Sequence, residues 1–121
     1  MEKIKKHPQF ILPAGVKVAI NHASTRKERG KSHTVFHITV MGDRINWVTF
    51  RRFSQFDRCH KQLVQRFPDI ALPSLPPKKW IGSLVTEFVD KRRSDLQKYL
   101  QDLIEIPDVR RTAEFSAFLG K

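Results

Sequence analysis

Arg44-Ile45-Asn46-Trp47-Val48-Thr49-Phe50-Arg51-Arg52-Phe53-Ser54-Gln55-Phe56-Asp57 is where the chain changes its period, and that change decides the fold class. As far as Arg52 the residues alternate in twos, with Val48, Phe50 and Arg52 on one side, the pattern of a strand with one packed face. Beyond it the spacing turns helical. Phe56, Cys59, Leu63 and Phe67, with His60 and Val64, form a stripe that stops before Pro68. Ser54 offers an N-cap hydroxyl, and Asp57 three residues on comes close to completing a capping box.

Toward the N-terminus, Phe36, Ile38 and Val40 mark a second strand, and Val16, Val18 and Ile20 a first. Gly42-Asp43 reads as a tight turn in which glycine takes the positive φ. The basic run 24–32 (STRKERGKS) reads as an exposed, flexible hairpin loop, and residues 1–14 as a flexible lead-in. Toward the C-terminus, residues 68–79 (PDIALPSLPPKK) hold four prolines and predict a stiff, extended elbow. Trp80-Ile81-Gly82 follows as a short apolar tip. A long amphipathic helix is predicted over about 86–106, with Val85, Val89, Leu96, Tyr99, Leu100 and Leu103 as its stripe and Pro107 as its stop. A short helix over about 112–119 closes the chain. Strands first and helices after predict an α+β domain over 15–119. It is a three-stranded antiparallel meander packed against a helical layer, with the proline elbow between the first two main helices.

A chain of 121 residues suits one core. No apolar run approaches the roughly 20 residues of a membrane span, and the basic N-terminus lacks the apolar stretch of a signal peptide. The single cysteine fits a reducing compartment, and on the helical stripe it reads as a buried, inert thiol. The five histidines show no metal-ligand spacing. There is no Gly-rich phosphate loop or nucleophile motif, so no enzyme and no cofactor is expected. Charge is the first positive signal: 23 Lys/Arg stand against 12 Asp/Glu. The excess is lopsided, with 14 against four in residues 1–66 and nine against eight in 67–121. A polyanionic partner follows, nucleic acid or an anionic membrane, and charge alone does not choose.

Charges that interrupt apolar patterns point further. Arg92 lies three residues after Val89 and four before Leu96, so a guanidinium projects from the apolar stripe. It either snorkels, or pairs with Asp57 or Asp95, or reaches for an anion in a pocket. Arg52 shares the strand face of Val48 and Phe50 and stands just before a helix start, where unpaired N–H groups favour a phosphate. Arginine supplies a bidentate fork there that lysine does not, and Phe53 is placed to stack on a ring. Lys78 and Lys79 close the elbow, followed by Trp80 and Ile81, a basic-then-apolar tip suited to a headgroup zone.

In this order, three segments resemble the PX (phox homology) domain of sorting nexins and related proteins. They are Arg51-Arg52-Phe53-Ser54-Gln55-Phe56, Leu72-Pro73-Ser74-Leu75-Pro76-Pro77-Lys78-Lys79, and Arg92 with Leu96 and Tyr99-Leu100. The resemblance implies a phosphoinositide-binding, membrane-targeting domain, cytoplasmic and peripheral on endosomal membranes, with phosphatidylinositol 3-phosphate as its default lipid. It implies that Arg52 binds the 3-phosphate, that Phe53 stands where a tyrosine usually stacks under the inositol ring, and that Ser54 assists. It implies Lys78 on the 1-phosphate, Arg92 on the 4- and 5-hydroxyls, and Trp80 and Ile81 in a membrane-inserting loop, with Arg51 and Lys79 as auxiliary cations. Gln55 departs from a common aspartate outside these contacts. The surplus cations Lys17, Arg26, Lys27, Arg29 and Lys31 leave room for more highly phosphorylated lipids. Pro73–Lys78 also fits a PxxPx(Lys/Arg) ligand for SH3 domains. Nucleic acid is not expected, because it explains the charge but neither the pattern-breaking arginines nor the Trp80-Ile81 tip.

Overall fold

The computed structural model describes residues 10–77 and 86–121. Three antiparallel strands in the order β1-β2-β3 form one sheet: β1 (Lys17–Glu28), β2 (Lys31–Gly42) and β3 (Ile45–Arg52). The helices α1 (Phe53–Arg66), α2 (Thr86–Ile104), α3 (Pro107–Arg110) and α4 (Ala113–Phe118) follow. The predicted α+β order therefore holds. Val16, Val18, Ile20, Phe36, Ile38 and Val40 meet Phe56, Leu63, Leu96, Leu100, Leu103 and Phe115 in one buried core.

Two features correct the reading of the strands. The run 24–32 is not a flexible loop: β1 and β2 continue through it and pair as far as Glu28 with Lys31. Arg29 and Gly30 alone make the turn, with φ of 52° and 79°, the paired positive values that match the twist of a two-residue hairpin. At the second turn the left-handed residue is Arg44, φ 63°, rather than glycine. Gly42 is in β2, paired with Ile45, where a Cβ would come within 3.2 Å of Val16 Cγ2.

The face of β3 is also the reverse of the expected one. Phe36, Ile38 and Val40 pair with Arg51, Thr49 and Trp47, so those three turn to the core side. Val48 and Phe50 lie on the outer face, 51% and 42% exposed, and Arg52 shares that face. Both phases of this strand are apolar enough to bury; pairing with β2 sets which one is. Val64 is likewise 46% exposed, outside the packed stripe of α1.

Helix α1 starts at Phe53, one residue before the expected cap, with Arg52 as N-cap residue. A guanidinium has no acceptor to offer. The Arg52 backbone N–H instead donates to Gln55 Oε1 at 2.9 Å. Pro107 begins α3 as well as ending the run before it, a position where its missing N–H costs nothing. Thr112 caps α4 by accepting from the Phe115 N–H at 3.1 Å. The packed unit begins earlier than residue 15. Leu12 is 1% exposed, and Phe10 stands edge-on to Trp47 with centroids 5.8 Å apart.

The free edge of β1 is closed by α2. Arg93 donates to Ile20 O at 2.5 Å, Gln97 Oε1 accepts from the Ile20 N–H at 2.8 Å, and Gln101 donates to Val18 O at 3.2 Å. A spacing of four places the three side chains along one side of the helix. Replacing Gln97 by Leu leaves the Ile20 N–H without its acceptor, and is expected to cost about 1–3 kcal/mol, read as a lower urea midpoint with an unchanged slope.

The segment 68–77 forms neither helix nor strand, as its prolines dictate, apart from a bend at 68–70. Pro76 is buried, and Leu72 and Leu75 pack on the core. Lys78, Lys79, Trp80 and Ile81 lie outside the described residues. No helix among the described residues is long and apolar enough to cross a membrane.

Candidate functional site

The end of β3, the start of α1 and the first half of α2 meet at one corner. Arg92 reaches there from α2. It is 5% exposed; its guanidinium carbon lies 4.3 Å from the Phe53 ring centroid, and Nη2 donates to Pro77 O at 2.7 Å. Burial lowers its pKa, with Asp95 acting in the opposite sense. Of the alternatives open in the sequence, Arg92 thus joins helix, elbow and α1, with its charge placed beside the first residue of α1.

Phe53 is only 6% exposed, and one face of its ring carries the Arg92 guanidinium. In this structure it orients Arg92; a ligand ring seats on that face only if the guanidinium swings aside. Arg52 differs in every respect. It is exposed, and its guanidinium donates to no acceptor among the described residues. The helix N-terminus beside it adds unpaired N–H groups and partial positive charge. Ser54 is exposed in the first turn of α1.

Arg51 turns the other way. Its Nε donates to Phe118 O at 2.8 Å and Nη2 to Ala117 O at 3.2 Å, with the guanidinium 5.7 Å from the Phe118 ring centroid. This cation fastens α4 to the sheet. Arg51→Ala is expected to lower stability by about 1–2 kcal/mol and to leave binding to anionic vesicles near wild type, checked by melting and by flotation below the melt.

The outer sheet face is hidden in the sequence, because the run 24–32 has the composition of a loop but pairs as strand. Read as strands, the run places Arg26 opposite His33, and Val35 opposite both Ser24 and Arg52. The next cross-strand row is His22, His37 and Phe50, with ring centroids 4.6 and 4.8 Å apart. Ser24 Oγ stands 2.8 Å from His37 Nε2. The His37 pKa is lowered by burial, and further by His22 and Arg26. Cys59 behaves as an inert thiol: burial, and then Glu114, push it up to about 12. His60 Nδ1 stands 2.7 Å from the Tyr99 hydroxyl, linking α1 to α2.

Such a corner defines a class: a small α+β recognition module that offers arginines from separate elements at a helix start. The profile of the family described as the PX domain matches residues 39–121. This chain belongs to the PX domain family, whose members bind phosphoinositide membranes and serve membrane trafficking. Rat serine/threonine-protein kinase Sgk3 is 31% identical over 103 residues, covering 84% of this chain and 21% of the kinase. Mouse sorting nexin-16 is 36% identical over 95 residues, covering 77% and 27%. The X-ray structure of a designed CISK-PX domain superposes with a TM-score of 0.80 at 35% identity, covering 87% of this chain and 99% of that one. The chain thus spans between 5% and 27% of the length of the curated relatives it matches.

Proposed function

We propose that this chain is a membrane-targeting domain that reads phosphatidylinositol 3-phosphate on the cytoplasmic face of endosomal membranes, in protein sorting. The observation that carries the proposal is the pair at the corner. An exposed Arg52, whose guanidinium donates to no acceptor among the described residues, stands at the start of α1, and a buried Arg92 is held over the adjacent Phe53. Arg52 takes the 3-phosphate with the help of the helix N-terminus and the Ser54 hydroxyl, and Arg92 binds the 4- and 5-hydroxyls. Lys78 takes the 1-phosphate, Lys79 adds attraction to the leaflet, and Trp80 and Ile81 enter the headgroup zone. Each well-placed cation contributes roughly 1 kcal/mol of attraction to an anionic leaflet. No covalent step is involved.

Flotation with vesicles carrying each phosphoinositide in turn tests this. Phosphatidylinositol 3-phosphate is expected to bind tightest, and equal binding to all of them at matched charge would replace headgroup reading by general attraction. The alternative of a broader headgroup range draws support from the cations of the outer sheet face. The SH3 reading of Pro73–Lys78 meets a physical obstacle. Its second proline, Pro76, is buried, whereas both prolines of such a ligand have to seat in the partner's grooves.

A further inference from the structure

The outer sheet face holds cations to which the headgroup reading gives no role. Arg26 on β1, His33 on β2 and Arg52 at the end of β3 line one cavity of about 130 Å³, together with Glu28, Phe50 and Gln55. The Arg26 guanidinium carbon lies 5.4 Å from the Phe50 ring centroid, which keeps the cation against the face rather than out in solvent. Glu28, the acid of this lining, is 69% exposed, with Oε1 3.9 Å from His33 Nε2. Two guanidiniums around one small space repel each other unless an anion lies between them. The two guanidiniums outweigh the Glu28 carboxylate by one positive charge.

We propose that this cavity is a phosphomonoester site, in which Arg26 and His33 complete the grip that Arg52 begins. The proposal rests on the phosphoinositide reading of Arg52. Arg26 supplies N–H donors from the side opposite Arg52, and the His33 imidazole adds a ring N–H from β2. Around His33 stand Arg26 and Glu28 from β1, Arg52 from β3 and the uncharged Gln55 from α1.

The test compares wild type, Arg26→Ala, His33→Ala and Arg52→Gln. The probes are phosphatidylcholine vesicles carrying phosphatidylinositol 3-phosphate, soluble inositol 1,3-bisphosphate, and phosphatidylserine vesicles of matched charge. Arg26→Ala is expected to lose about tenfold, and His33→Ala about threefold, toward both headgroup probes. Thermal melts show that each variant is folded. If Arg26→Ala and His33→Ala match wild type in affinity while Arg52→Gln fails, the cavity is no phosphate site and the headgroup reading stands. If Arg26→Ala weakens only phosphatidylserine binding, the cations act as general surface charge and the site is overturned. If Arg52→Gln binds the headgroup as wild type does, the headgroup reading itself falls, and this site with it.

Discussion

Arg52→Gln is expected to lower affinity for phosphatidylinositol 3-phosphate vesicles by roughly a hundredfold, with no change in melting temperature. The two halves of that result have separate causes. Arg52 is exposed and its guanidinium donates to no described residue, so the fold loses nothing when it goes. The backbone N–H that joins Gln55 at 2.9 Å is kept by glutamine. Charge-assisted bonds from a guanidinium fork to a phosphate contribute about 1.5–3 kcal/mol each, and about 1.4 kcal/mol is tenfold in affinity. Two such bonds at the lower of these figures give about the hundredfold. Surface plasmon resonance on supported bilayers, with phosphatidylserine bilayers as reference, measures it. Retained affinity would move the phosphate away from the start of α1.

Arg92→Ala is expected to have an effect of similar size on binding, and to cost stability as well. Arg92 is 5% exposed, donates to Pro77 O at 2.7 Å and covers the Phe53 ring. Removing it leaves a part-buried carbonyl without this donor and opens a gap over an aromatic face. The expected loss is about 2–4 kcal/mol of folding free energy. Urea denaturation reads that loss, and binding measured well below the melt reads the other. Arg92→Lys distinguishes charge from shape. A lysine keeps the cation but not the planar fork, so it is expected to regain part of the stability and little of the affinity. Full recovery with lysine would mean that Arg92 acts as a point charge.

How much of this was legible depended on where local pattern and long-range pairing agree. The order of elements followed from the change of period at Arg52, and Arg92 announced itself because a cation interrupts an apolar stripe. The phase of β3 was not legible. Trp47-Thr49-Arg51 and Val48-Phe50-Arg52 are both plausible inner faces, and only the register against Phe36, Ile38 and Val40 selects the first. Arg52 was singled out as a charge on a packed face, whereas it lies on the open one. The adjacent helix start, which the sequence also marked, is what survives of that argument. The hairpin around Arg29-Gly30 escaped because a polar, basic composition reads as loop unless its pairing is known. Missing it hid the alignment of Arg26 and His33 with Arg52. Capping by Gln55 escaped for another reason: the pattern pointed to the hydroxyl of Ser54, and an amide from the third helical position took its place.

The three polar side chains that α2 sets against β1 also bear on how copies of this domain behave when crowded. An open strand edge is a template on which another chain can build, and proteins that concentrate on a surface meet that hazard often. Here Val18 and Ile20 have their outward carbonyls, and Ile20 its outward N–H, already occupied by Arg93, Gln97 and Gln101. The protection depends on helical phase. One inserted residue between positions 93 and 101 would rotate part of the set by about 100° and leave the backbone of Val18 and Ile20 open to pairing with a second copy.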